Sequence, residues 1–210
     1  MYEAQKNSVR NLEGLYSTVV GLALSLAILR VIDTHRAPIP VSSTALPCFF
    51  AFLATVIPFY HGALRHLDIT YVEKAGRDVA PGGLLFDFGF LFLEGCLLLA
   101  LAALLRTPQF YGWFWLALLV VDLVWGFLAH IAFSARDVQP RAEVRWAIIN
   151  TVCATLLAIL LLTRVPYPPT TAPAEPRVPL LLLVLSLART IADYGGCWGY
   201  YYPSPHPATE

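Results

Sequence analysis

GLLFDFGFLFLEGCLLLALAALL, residues Gly83 to Leu105, is the stretch whose reading decides the fold. Its apolar residues run on without the alternation at period two that a half-buried strand requires. A helix of about 20 residues rises about 1.5 Å per residue and so spans the roughly 30 Å hydrocarbon core of a bilayer. The segment therefore reads as a transmembrane helix, and GWFWLALLVVDLVWGFLAHIAF, Gly112 to Phe133, repeats the reading immediately afterwards. Working outward, Leu15 to Ile32, Ala45 to Leu64, Trp146 to Leu162 and Pro179 to Tyr200 meet or approach the same test, the last interrupted by Arg189 and Asp193. The expected fold is all-α: a polytopic transmembrane helical bundle of about six spans, one integral membrane domain over residues 1–210. Continuous apolar runs exclude a β-barrel.

Composition agrees. Of 210 residues, 58% are hydrophobic and 13% charged, and the mean hydropathy is +0.64; an ordinary globular chain carries about 25% charged residues. The formal net charge is zero, so no basic surface points to nucleic acid and no acidic tail to a basic partner. Cys48, Cys96, Cys153 and Cys197 are scattered and form no CxxC pair, which predicts neither a disulfide framework nor a zinc site. The first apolar run is longer than a signal-peptide core and lacks a small-x-small cleavage site close behind it, so it is expected to stay as a first helix. Within it Ser17, Gly21 and Ser25 recur every four residues, a ribbon of small residues that lets another helix approach, within the chain or from a second copy.

Orientation follows from Lys and Arg in short loops. With the N-terminus cytoplasmic, the inner segments hold Lys6, Arg10, Arg65, Lys74, Arg77, Arg136, Arg141 and Arg145, against Arg30, Arg36, Arg106, Arg164 and Arg177 outside. Both termini are expected inside, and the membrane is expected to be a bacterial inner membrane. Trp113, Trp115, Trp146, Trp198 and Tyr200 to Tyr202 stand at span ends, the depth that amphipathic rings favour. Residues 163–178 form a Pro-rich outer loop, expected to be a stiff extended spacer, and residues 203–210 a mobile tail.

The informative residues are ionisable groups inside the spans, because a charge at the bilayer centre costs at least about 2.5 kcal/mol. Asp87 and Glu94 are seven apart and share a helix face; Asp122 lies near the centre of the fourth span; Arg189 and Asp193, four apart, can pair along one helix. Arg189 can hold two carboxylates at once, with Asp122, Glu94 and Asp193 the candidates. These five are the candidate ion- or proton-binding residues. His61 and Arg65, one turn apart, with His130 and Asn150, are secondary candidates at a similar depth. Together they predict one polar cavity open to the cytoplasm.

Blander roles stand beside these. Arg189 with Asp193 or Asp122 can be a buried pair that fixes register, Asp87 can cap its helix at the interface, and Asn150 can hydrogen-bond a neighbouring helix. His61 and His66 with Asp68 have the composition of a metal cluster, but a spacing of five puts the histidines on different faces, which favours a solvated interfacial cluster and no metal.

Three functions are compatible with the pattern: a proton- or cation-coupled transporter or channel, a non-catalytic subunit of a larger membrane complex, and an intramembrane enzyme using His61, His130 and the carboxylates on a lipid. The first is the leading expectation, with membrane lipid, further copies or a larger complex as partners and no cofactor specified. No nucleophile–base pair stands at a diagnostic spacing, which ranks the enzyme last.

Overall fold

A computed structural model describes residues 2–32, 45–73, 81–133, 141–164 and 177–202. Among them are six α-helices, each long and apolar enough to cross a membrane: α1 Tyr2–Val31, α2 Ala45–Leu67, α3 Pro81–Ala103, α4 Pro108–Phe133, α5 Arg141–Arg164 and α6 Arg177–Tyr201. The chain is an all-α helical bundle, and the faces its helices turn outward are those of an integral membrane protein. Ile191, Leu85, Leu162 and Leu29 are each at least two-thirds exposed, an apolar surface that lipid tolerates and water does not. The helices overrun their apolar cores: α1 begins at Tyr2 instead of near Leu15, and α6 begins at Arg177, with Pro179 in its first turn, where the missing N–H costs no helical bond. The rest of the Pro-rich loop and the tail from 203 lie outside the described residues.

The helices close a ring in the order α1, α3, α4, α5, α6, α2, and α2 also reaches inward to α3 and α4. The most apolar stretch of α2 is 56% buried, against 28–33% for the other five, so α2 is the most enclosed helix, in contact with α1, α3, α4 and α6. The inner face of α1 is Val9, Leu12, Tyr16, Val20, Ala23, Ala27 and Val31, at spacings of three or four. Of the small-residue ribbon only Ser17 meets another helix, through Tyr60 Oη at 2.9 Å; Gly21 and Ser25 face outward. The close approach of α1 to α3 comes instead at Gly95, where a Cβ would lie 2.8 Å from Val19 Cγ1.

Two irregularities set the geometry of the functional end. Pro58 in α2 has no N–H to donate to the carbonyl of Ala54, and the Thr190 hydroxyl on α6 donates there instead, at 2.6 Å. Near the end of α6 the helix breaks step at Cys197 (φ −117°, ψ 19°). Arg145 of α5 donates to the carbonyl of Gly196 and Arg65 of α2 to that of Tyr200, so two arginines satisfy carbonyls in the kinked turn. The C-terminal ends of α2 and α6 and the N-terminal end of α5 are thereby at one level. At the other end Arg106 donates to the carbonyls of Arg30 and Ile32 at 2.8 and 2.9 Å, closing the C-terminus of α1 beside that of α3.

Candidate functional site: a carboxylate cavity around Arg189

The polar residues converge on one partly open cavity. It lies in the half of the bundle that holds the start of α1 and the end of α6. Five of the six helices contribute inward positions: His66 from α2, Asp87 and Glu94 from α3, Asp122 and Trp125 from α4, Trp146 from α5, and Arg189, Asp193 and Tyr201 from α6. On α3 the buried face runs Asp87, Leu91, Glu94, Leu98 and Leu101, the three- and four-residue step that aims both acids inward.

Asp87 is saturated. One carboxylate oxygen accepts from the Tyr71 hydroxyl at 2.6 Å and meets His66 Nε2 at 3.1 Å; the other accepts from the Trp125 indole at 2.9 Å. Asp87 is 1% exposed, which corrects the expectation that it caps its helix at the interface. Tyr71 reaches it from a π-helical turn, Asp68–Glu73, that continues α2; such turns recur at functional positions. His66 is buried, not part of a solvated cluster, while His61 points elsewhere, so the five-residue spacing does separate the two rings.

Asp193 is similarly held. Its Oδ1 accepts from the Trp146 indole at 2.9 Å and the Tyr201 hydroxyl at 3.1 Å. In a straight helix residues 193 and 201 would lie about 12 Å apart along the axis; the backward lean of the tyrosine and the break at Cys197 bring the hydroxyl to the carboxylate. Trp146 and Tyr201, expected at the lipid interface, are buried and aimed at this acid, whereas Trp198 and Tyr202 are exposed.

Arg189 lies between the acids without being saturated by them. Its Nε donates to Asn150 Oδ1 at 2.9 Å, and the Asn150 amide donates to Asp122, so a neutral side chain links the guanidinium to that carboxylate. Nη1 is 3.9 Å from Asp193 Oδ2, beyond hydrogen-bond distance, and has no hydrogen-bond partner although Arg189 is 5% exposed. The guanidinium carbon lies 4.4 Å from the centre of the Phe59 ring. Glu94, also buried, faces Asp122 close enough for the two carboxyl groups to share a hydrogen bond, and Tyr16 of α1 adjoins it. Asp122 is only half-buried despite its depth in the bundle.

All five primary candidates, Asp87, Glu94, Asp122, Arg189 and Asp193, therefore line one cavity, and Asn150 joins two of them. The other three secondary candidates do not line it. His61 meets Tyr194 at 3.1 Å and packs on the Tyr201 ring, 4.6 Å between centres. Arg65 caps α6. His130 lines a separate apolar groove between α4 and α5 with Gly126, Phe127 and Ile148. Among the described residues no three metal-binding side chains converge. His66, Tyr71, Trp125, Trp146 and Tyr201 were not anticipated. The visible signal was that three inward acids on α3 and α6 need donors, which Trp and Tyr near the same span ends can supply.

The cavity holds four acids against two basic side chains, His66 and Arg189. In a low-dielectric interior such an excess has to be balanced by protons or by a bound cation. Comparison with known protein families, with curated proteins and with solved structures finds no match to this chain.

Proposed function

We propose that the protein is a small proton- or cation-coupled carrier of a bacterial inner membrane, with Glu94 and Asp122 as the exchanging pair. The observation that supports this reading most strongly is the division of labour among the four acids. Asp87 and Asp193 are bound by fixed donors that hold them in place, through Tyr71, Trp125, Trp146 and Tyr201. Glu94 and Asp122 face each other with a single neutral amide between them and the nearest guanidinium. Two adjoining carboxyls can be joined only through a proton or a cation, and either can leave when Arg189 shifts toward them. Arg189 then acts as the resident counter-charge. The cavity lies in the half of the bundle expected to be cytoplasmic, so loading from that side is the expected step.

The test is flux in proteoliposomes under an imposed pH gradient. Asp122→Asn should abolish proton movement while the protein still elutes as a folded species; unchanged flux in that variant would remove Asp122 from the mechanism. A purely structural network predicts no flux in the wild type either.

A further inference from the structure

Three features of the cavity remain unused by simple proton exchange. Five aromatic rings, Phe59, Phe90, Trp125, Trp146 and Tyr201, line it, far more than a proton path requires. The indole N–H groups of both tryptophans are engaged on Asp87 and Asp193, so those rings are held rigidly as walls. Finally, Arg189 Nη1 is a buried, charged donor without an acceptor, in the lining of the cavity, and such a donor is costly to leave unpaired. A bare metal ion satisfies none of these, and no three metal-ligating side chains converge among the described residues. An organic ammonium ion satisfies the first two, because aromatic faces attract it and a carboxylate pair balances its charge. An oxygen on the same molecule would satisfy the third.

We propose that the cavity takes a small organic ammonium ion bearing an oxygen acceptor, its nitrogen at Glu94 and Asp122 and its oxygen at Arg189 Nη1, and exchanges it for a proton. The inference rests on the reading of Glu94 and Asp122 as the exchanging pair. Charge balances: one positive charge enters as the ammonium, and one proton leaves the pair for the solvent at the mouth. Glu94 is faced by Tyr16 from α1, Asp122 from α4 and Arg189 from α6, with Asp87 a neighbour on α3 itself, so Arg189 is the cation that an entering ammonium meets at the pair. Asn150 from α5 keeps Arg189 and Asp122 linked as this happens.

Tryptophan fluorescence of the purified wild-type protein tests this, since Trp125 and Trp146 line the cavity. The probes are choline, ethanolamine, tetramethylammonium and sodium, each as the chloride at constant ionic strength. Choline and ethanolamine should change the emission saturably, and tetramethylammonium, which lacks the oxygen, should bind about tenfold more weakly, the loss expected for one hydrogen bond to a charged donor. Sodium should do nothing saturable. Glu94→Gln should weaken choline binding, and Arg189→Lys should narrow the gap between choline and tetramethylammonium; the wild-type comparison stands even if these variants fold poorly. Phospholipid head groups carry the same ammonium–oxygen chemistry. Ethanolamine binding that weakens in phosphatidylethanolamine nanodiscs relative to phosphatidylglycerol ones identifies the head group as an occupant, and equal binding identifies the free amine. No saturable response to either amine, or an equal response to sodium, overturns the proposal. If proton flux still depends on Glu94 and Asp122 in that case, the carrier reading survives and the ligand assignment alone falls.

Discussion

Asp87 and Asp122 are the same residue type in the lining of one cavity, and the bundle treats them differently. Asp87 receives a phenol, an indole and an imidazole; Asp122 receives one amide and faces a second carboxyl. A fully bonded buried carboxylate rigidifies its surroundings, and removing one donor is costly because the remaining charge stays buried. Trp125→Phe should therefore destabilise the protein by about 1–3 kcal/mol, read from the midpoint of unfolding in a denaturing-detergent titration. A loss below about 0.5 kcal/mol, the ordinary scale of a neutral change, would show that Asp87 does not need its indole. At this scale the sequence was partly legible. Spacing alone placed Asp87 with Glu94 and Arg189 with Asp193, because seven and four residues return to one helix face. It could not show that Asn150 would stand between Arg189 and Asp122, since that depends on the rotation of α5 against both α4 and α6. Nor could it show that Trp146 and Tyr201 turn inward, because rings near span ends favour the lipid interface just as readily.

At the scale of elements, the α2–α6 seam depends on a proline. Pro58 frees the carbonyl of Ala54, and Thr190 on the neighbouring helix takes it up, so a defect in one helix becomes a contact between two. Thr190→Val should cost about 1–3 kcal/mol by leaving a buried carbonyl unsatisfied. In a Pro58→Ala background, where the backbone N–H returns, the same substitution should cost much less. The double-mutant cycle measures that coupling, and additive effects would show that Thr190 is not answering the proline. The α1–α3 seam has a different basis. With a Cβ at Gly95 already 2.8 Å from a branched, stiff Val19, Gly95→Val should destabilise by about 1–3 kcal/mol through overpacking, again read in the unfolding titration; a neutral result would mean that α1 yields freely. The existence of all six helices was plain from the length of their apolar runs. Their ends were not, because a polar first turn such as that of α1 and a proline at the start of α6 carry no apolar signal, although both are compatible with helix.

For the whole molecule, the ring order α1, α3, α4, α5, α6, α2 could not be read from hydropathy, which marks spans without saying which ones touch. It follows from inward faces: α2, the most buried helix, takes the inner place, and α3, α4 and α6, which carry the four acids, all touch it. The expectation that the polar positions share one depth rested on topology alone, and the cavity lies at that depth, in the half holding the start of α1 and the end of α6. The excess of Lys and Arg at that end predicts that it faces the cytoplasm. Reporter fusions at the N- and C-termini should both register as cytoplasmic, and an external location for either would reverse the side from which the cavity loads.

The most direct test of the central claim compares the four acids in one assay: proton flux per folded protein in proteoliposomes carrying Asp87→Asn, Glu94→Gln, Asp122→Asn or Asp193→Asn. Glu94→Gln and Asp122→Asn should abolish flux and leave the folded yield near that of the wild type, whereas Asp87→Asn should lower the folded yield and retain flux in the protein that folds. Flux that survives in both Glu94→Gln and Asp122→Asn, or that is lost equally in all four variants at full folded yield, would contradict the assignment of exchange to the Glu94–Asp122 pair.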